Sequence, residues 1–188
     1  MHQKLFARRS DYFAKATNGN FLESEERLIK LENFVPETFR YYIIFVYTSQ
    51  LATKGPNEWL ALCRLYVLAE YLLDRQAKNR VIDGIYAYLT ETLPAEPKHD
   101  HPSNLFSVEA IQEVYDGTPE DSHLRRLVVD LYAIHGKDLW LKDGKQELPT
   151  EFLYDIALKM LQIRPSPHAS CSILGRLSSD YHEVSTTK

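Results

Sequence analysis

The segment from Asn57 to about Leu73 constrains the fold more than any other part of the chain. It follows the turn Lys54-Gly55-Pro56, and Asn57 is suited to cap a helix that runs through LALCRLYVLAEYLL. A helix at the surface carries its apolar residues in one stripe, whereas here they occupy most of the circumference. We therefore predict a central, largely buried helix against which the other elements pack.

Helical periodicity also dominates the segments on both sides of this helix. Before it, we predict one amphipathic helix from Lys4 to Ala16 and another that opens at Pro36 and ends near Tyr47-Thr48. After it, a helix from about Arg75 to Thr92 is predicted to form a packed hairpin with the central helix. The inward face of that helix carries Ala77, Val81, Ile82, Ile85 and Leu89.

A second helical block is predicted beyond residues 94–106, which are rich in proline and polar residues and predict a linker. Ser107 is expected to cap a helix from Val108 to Tyr115. Thr118-Pro119-Glu120-Asp121 is expected to start a helix with Leu124, Leu127, Val128 and Leu131 inward and Arg125 and Arg126 in water. Thr150 is expected to cap a last helix, ending near Ile163, with Phe152, Leu153, Ile156 and Met160 inward. The residues from 164 to 188 lack periodicity and predict a disordered tail.

Strand signals are few. The alternating sequence RLIKL from Arg27 to Leu31 predicts one brief strand, a weak second signal lies near Gln50 to Thr53, and Asp143-Gly144 is a hairpin-turn candidate. A single strand cannot satisfy its own hydrogen-bonding groups. The predicted class is therefore α+β but mostly α, with a small, incomplete sheet.

The composition excludes several classes of function. The chain has 188 residues, enough for one domain with an extension, and a formal net charge of -4, which disfavours nucleic acid and anionic membranes as partners. Only Cys63 and Cys171 are present, so no disulfide framework or cysteine zinc site is indicated. The longest apolar run, Tyr41 to Tyr47, is far shorter than the ~20 residues of a membrane span, and the amino terminus lacks a secretory signal. We expect an intracellular protein, cytoplasmic or nuclear.

Candidate chemistry is limited to His99-Asp100-His101, two histidines and a carboxylate close enough to ligate one metal. Pro97 and Pro102 flank this cluster and no third ligand stands at a defined spacing, so a solvated linker is the favoured interpretation. No nucleophile elbow, phosphate loop, dinucleotide fingerprint or zinc-protease motif occurs. We predict a protein that is not an enzyme and needs no cofactor or metal, with a small helical metal-binding protein or enzyme using this cluster as the alternative.

Short motifs follow one another in a particular order along the chain. They are His2-Gln3-Lys4-Leu5 with Arg9-Ser10-Asp11-Tyr12-Phe13, Phe21 with Glu23, Ile29-Lys30-Leu31, and Pro36-Glu37-Thr38-Phe39 leading to Tyr47-Thr48. This order resembles a BTB/POZ domain, most closely the variety found in many fungal proteins. Residues 62–86 are similar to the helical hairpin of that family, and residues 111–132 to the helical extension of its fungal members.

The resemblance implies a BTB/POZ core over residues 1–93, a linker over 94–106, a helical extension over 107–163 and a tail over 164–188. In the family a strand hairpin leads into a His-x-x-Leu helix like the one at His2, whereas this chain starts at that helix. The expectation is a truncated chain; the alternative is a sheet that a second chain completes by edge addition.

The resemblance also implies a function in protein association. BTB domains form homodimers or heteromers, and many recruit substrates to cullin-RING ubiquitin ligases. The family's dimer contacts correspond here to Leu5, Phe6, Arg9, Tyr12 and Phe13. Cullin-binding members often carry an acidic residue after a hydrophobic one in the helix that opens here at Pro36, and this chain has Phe39-Arg40. We predict a scaffold or adaptor that pairs with itself or other BTB proteins, with a cullin-ligase substrate adaptor as the alternative.

Overall fold

A computed structural model describes residues 3–18, 31–93, 107–136 and 148–164, and within these ranges the chain is helical. The helices in chain order are α1 (Gln3–Arg9), α2 (Asp11–Asn18), α3 (Pro36–Thr48), α4 (Glu58–Tyr71), α5 (Arg75–Thr92), α6 (Val108–Gly117), α7 (His123–His135) and α8 (Thr150–Ile163). This confirms the prediction of a mostly helical protein.

No strand occurs in the part of the chain that the structure describes. The weak strand signal at Gln50–Thr53 is wrong, because these residues form an irregular connection between α3 and α4. Most of the strand predicted from Arg27 to Leu31 lies outside the described residues, and Leu31 itself is not in a strand. The hairpin turn predicted at Asp143-Gly144, the linker 94–106 and residues 165–188 of the predicted tail also lie outside them.

The central position predicted for α4 is confirmed. This helix packs against α3, α5 and α6. Its buried apolar residues lie around most of its circumference: Trp59, Leu62, Cys63, Leu65, Tyr66, Val67, Leu68 and Ala69. The inward face predicted for α5 is also confirmed, since Ala77, Val81 and Ile85 are buried. Asn57 precedes α4 as expected, but its side chain makes no capping hydrogen bond.

The close packing of α6 on α4 depends on Gly117 at the last residue of α6. A Cβ atom at this position would lie 2.2 Å from Cγ1 of Val67, far inside any real contact distance. Glycine therefore lets the end of α6 approach the surface of α4 directly. Arg64 of α4 stabilises the edge of the same interface through ion pairs with Glu109 at 2.7 Å and Glu113 at 2.8 Å.

The single helix predicted from Lys4 to Ala16 is wrong, because the chain breaks at Ser10 into α1 and α2. The Ser10 hydroxyl accepts a hydrogen bond from the backbone N–H of Phe13 at 3.1 Å, which caps the start of α2. The same hydroxyl donates to the carbonyl oxygen of Leu72 at the end of α4. Ser10 is fully buried, so these two bonds fix both the break and its position against α4.

The prediction that Arg125 faces water is wrong, whereas Arg126 is exposed as expected. Arg125 is 7% exposed and donates to the backbone carbonyls of Tyr115 and Thr118, to the Thr118 hydroxyl and, at 2.7 Å, to the Glu151 carboxylate. Its guanidinium also lies 4.5 Å from the centre of the Tyr115 ring. The arginine therefore joins the end of α6 to the start of α8.

Two of the three predicted helix-start assignments in this block differ from the structure. Ser107 caps α6 as predicted, by accepting from the N–H of Ala110 at 3.3 Å. The next helix begins at His123 rather than within Thr118–Asp121, because Ser122 caps it. Thr150 is the first residue of α8 and makes no capping bond. The inward face predicted for α8 is half right, since Phe152 and Ile156 are buried but Leu153 and Met160 are exposed.

The end of α4 carries a backbone conformation that leucine rarely adopts. Leu73 has φ 54°, in the left-handed region, and its side chain is 48% exposed. The conformation lets the N–H of Leu73 donate to Glu70 at 3.0 Å and that of Asp74 donate to Ala69 at 2.9 Å, which satisfies the last carbonyls of α4. Glycine is the residue that normally fills this position.

Leu73→Gly should therefore raise the free energy of unfolding by about 1 kcal/mol, because glycine adopts a positive φ without steric cost. Urea unfolding followed by circular dichroism measures the change. Leu73→Ala is the matched control: it removes the exposed side chain but keeps the Cβ, and should not stabilise. Equal stabilisation by both variants would assign the effect to the side chain rather than to the backbone.

Candidate interaction surface

The first two helices are held on the rest of the molecule by Asp74, which is completely buried between α4 and α5. One carboxylate oxygen accepts from the N–H of Ala77 at 2.9 Å and caps α5. The other accepts from the Tyr42 hydroxyl of α3 at 3.0 Å and from Nε of Arg9 of α1 at 3.3 Å. Asp74 thus connects three helices that are distant in sequence.

The partners of Asp74 are themselves removed from water. The Arg9 side chain is 11% exposed, and its guanidinium carbon lies 4.5 Å from the centre of the Phe45 ring. Burial and the neighbouring Asp74 carboxylate raise the pKa of Tyr42 far above its usual value, so this hydroxyl stays protonated as a donor. A charged pair in such surroundings is stable only while both members are present.

Beneath α1 and α2 lies a group of aromatic rings. The rings of Phe6 and Phe13 meet edge to face with their centres 5.5 Å apart, and Phe6 lies 6.2 Å from Tyr42. Both phenylalanines are at most 2% exposed. They attach the two short helices to α3 through apolar burial, in addition to the polar contacts of Asp74.

On the outer side, three aromatic residues from separate segments come together at the surface. Tyr12 of α2 and Phe34, which precedes α3, each lie 5.2 Å from the ring of Tyr71 at the end of α4. Tyr71 remains 45% exposed, and Tyr12 and Phe34 are half-buried. We call Tyr12, Phe34 and Tyr71 the aromatic patch. Side chains of this kind, with an apolar ring accessible to a partner, are enriched in protein interfaces.

The structure places the predicted interface residues at different depths. Phe6 and Phe13 lie in the core of the chain, so they can influence an interface only by holding α1 and α2 in position. Leu5, Tyr12 and Phe39 are half-buried, Arg9 is largely buried beside Asp74, and only Arg40 is exposed. Arg40 lies 3.0 Å from Glu37, and Phe39 stacks on Tyr42 with ring centres 6.3 Å apart. The role of these residues in binding stays a prediction.

Sequence reasoning missed Asp74 and Phe34. An aspartate directly before a helical segment is a recognisable capping signal, so the role of Asp74 as the cap of α5 could have been predicted. Its contacts with Arg9 and Tyr42, and the meeting of Tyr71 with Tyr12 and Phe34, depend on the tertiary packing and leave no local signal.

The candidate metal cluster His99-Asp100-His101 lies outside the described residues. In the ranges that the structure does describe, no group of three or more histidine, cysteine, aspartate or glutamate side chains is arranged to hold a metal ion. No helix within those ranges has the length and apolar character needed to span a bilayer.

Residues 1–79 match the family model of the BTB/POZ domain. The matched segment includes α1, α2, α3, α4, Asp74 and the whole aromatic patch, and it ends within α5. No curated protein and no solved structure gives a match. A BTB/POZ domain is a protein–protein interaction module, which agrees with the interaction function expected from the sequence.

The dependence of this surface on Asp74 can be tested by Asp74→Asn. The variant keeps the size of the side chain and an oxygen that can cap α5, but it leaves the Arg9 guanidinium buried without its anion. We expect the free energy of unfolding to fall by about 3 kcal/mol, measured by urea unfolding.

Asp83→Asn on the same helix is the matched control, since Asp83 is exposed and lies 3.8 Å from an exposed Arg80. Its effect should stay within about 0.5 kcal/mol. Equal losses in the two variants would contradict the role assigned to the buried pair.

Proposed function

We propose that the protein is a BTB/POZ interaction module that associates, with a second copy or with another BTB protein, through the surface formed by α1, α2 and the aromatic patch. The observation that carries this proposal is the aromatic patch itself, which lies within the residues matched to the family. BTB domains act through protein contacts, including dimerisation, and not typically through catalysis.

The predicted contact residues and the patch are neighbours in space. Tyr12 belongs to both groups, and Leu5 and Arg9 lie on the helix directly before it. Exposed aromatic surface next to half-buried apolar side chains has the composition of an interface core. Phe6, Phe13 and Asp74 act from beneath, by fixing the helices that present this surface.

The division of the chain follows from the same proposal. Residues 1–93 form the interaction core, with α1 to α5, and residues 107–163 form a helical extension, with α6 to α8, similar to that of fungal members of the family. The tight contact of Gly117 with Val67 and the ion pairs of Arg64 support an extension that is docked on the core. Such a module would work inside the cell, in the cytoplasm or nucleus.

A role as substrate adaptor of a cullin-RING ligase is the second candidate. The observation that favours it is the exposed pair of Glu37 and Arg40 in α3, because α3 corresponds to the cullin-contacting helix that the resemblance implies. Both side chains are more than 60% exposed, so they are accessible to a partner.

The first proposal is tested by Tyr71→Glu, which puts a charge into the aromatic patch. If the patch is the interface, we expect the mass measured by light scattering to fall twofold, because an unpaired charge buried at an interface is strongly unfavourable. Tyr86→Glu is the control, since Tyr86 is a 62% exposed tyrosine on α5, away from the patch. An unchanged mass for a folded Tyr71→Glu protein would contradict self-association through this surface.

The adaptor role is tested by adding a cullin amino-terminal domain to the purified chain. A complex that elutes as one species on size exclusion and whose affinity Arg40→Glu changes at least tenfold would support it. Arg80→Glu, a charge reversal at an exposed arginine of α5, should leave such a complex unchanged. The absence of any complex with the full chain would reject the adaptor role and leave the first proposal standing.

A further inference from the structure

The last helix of the described chain carries a second apolar surface, distinct from the aromatic patch. We call it the α8 face: Leu153, Tyr154, Ala157, Leu158, Met160 and Leu161. All of these residues are exposed, with Tyr154 at 69% and Leu161 at 66%. The exposed large residues repeat at 154, 158 and 161, which places them in one row along the helix.

The opposite side of α8 explains why this face stays uncovered by the described residues. Phe152 is fully buried against the rings of Tyr115 and Tyr132, at 5.5 and 4.9 Å between centres. Asp155 accepts a hydrogen bond from Tyr115 at 2.8 Å, and Lys159 lies 2.6 Å from Asp130 of α7. These contacts fix the rotation of α8, so its second apolar side points away from α6 and α7.

We propose that the α8 face binds the α8 face of a second copy of this chain, in an antiparallel pair with its two-fold axis at Ala157. Ala157 lies at the middle of α8, and its small side chain lets two helix backbones approach closely. In this arrangement Leu153 of one copy faces Leu161 of the other, and Tyr154 faces Met160. Large side chains thus surround a small central contact, as close helix packing requires.

The charges at the ends of α8 favour the antiparallel direction. Glu151 in the first turn binds Arg125 through one carboxylate oxygen and keeps 65% of its side chain exposed, while Arg164, directly after the helix, is exposed. Antiparallel pairing brings the Arg164 end of one copy to the Glu151 end of the other, and it also opposes the two helix dipoles. A parallel pair would place like charges together.

The exposed area agrees with a dimer of moderate stability. From the exposed fractions of its side chains, the α8 face would bury on the order of 600 Å² per copy, compared with about 800 Å² per partner in a standard interface. Apolar patches of this size on soluble proteins commonly mark interaction sites. Because this area is below that of a standard interface, the pair should dissociate on dilution.

Cross-linking tests the geometry directly. In a Cys171→Ser background, Ala157→Cys should place two thiols across the two-fold axis, and oxidised glutathione should convert them to an intermolecular disulfide while being reduced to two thiols. Cys63 does not interfere because it is fully buried and burial raises the pKa of its thiol. Thr90→Cys, exposed on α5, is the control and should stay monomeric on a non-reducing gel.

The direction of pairing is tested by mixing two variants in the same background, Leu153→Cys and Leu161→Cys. An antiparallel pair predicts a cross-linked dimer from the mixture and little from either variant alone. Self-cross-linking of each variant alone would indicate a parallel pair and overturn the proposal.

Leu161→Glu should halve the mass measured by light scattering. Gln162→Glu is the control: it introduces the same charge at the next residue, which lies outside the α8 face, and should leave the mass unchanged. The proposal is overturned if Leu161→Glu leaves the mass unchanged and Ala157→Cys gives no more cross-link than the control. Both results are expected if another part of the chain or a different protein covers the α8 face. The cross-link should also form in the Tyr71→Glu variant, so this inference and the proposed function can fail separately.

Discussion

The carboxylate of Asp74 is the contact on which the arrangement of the amino-terminal half depends. It is buried without access to water, so its charge must be matched by groups that the fold brings to it. Those groups come from α1, α3 and the first turn of α5, and none is a neighbour of another in sequence. One side chain therefore fixes the start of α5, the position of α3 and the attachment of α1, while Ser10, through its bond to Leu72, determines where α2 begins. The surface that carries the aromatic patch depends on these contacts of Asp74.

The carboxyl-terminal half uses the opposite charge for the same purpose. Arg125 is almost completely buried, and it donates to two backbone carbonyls at the end of α6 and to Glu151 at the start of α8. A cation beside unpaired carbonyls at the end of a helix is favourable for the helix dipole as well as for the hydrogen bonds. Each half thus contains one buried charge that connects the helices of that half, Asp74 in the first and Arg125 in the second. Helix α4 supplies the apolar surface between the two halves.

The helices could be predicted because periodicity and capping residues are local. The apolar residues around most of the circumference of α4 predicted its central place, and Ser107 predicted the start of α6. The errors have a common cause. Ser10 interrupts a helix because its hydroxyl reaches Leu72, and Arg125 is buried because Tyr115, Thr118 and Glu151 surround it. These contacts join residues that only the folded chain brings together. On α8, Leu153 and Met160 have the periodicity of core residues, and sequence alone does not distinguish the side packed on α6 and α7 from the side left exposed. In the candidate site, Tyr12 could be predicted through the resemblance, whereas Phe34 could not.

Because Cys63 is buried, the reactivity of its thiol reports how often the helices around it separate. The thiol lies in the middle of α4, where neighbouring helices shield it. A thiol reagent can therefore reach it only in molecules whose helices have separated, and its rate of modification follows the population of those molecules. With Cys171 replaced, Cys63 is the one thiol left to react, and no label has to be added. The rate of Cys63 modification therefore distinguishes two causes of lost binding. A substitution that alters only a surface leaves this rate unchanged, while one that loosens the helix packing increases it.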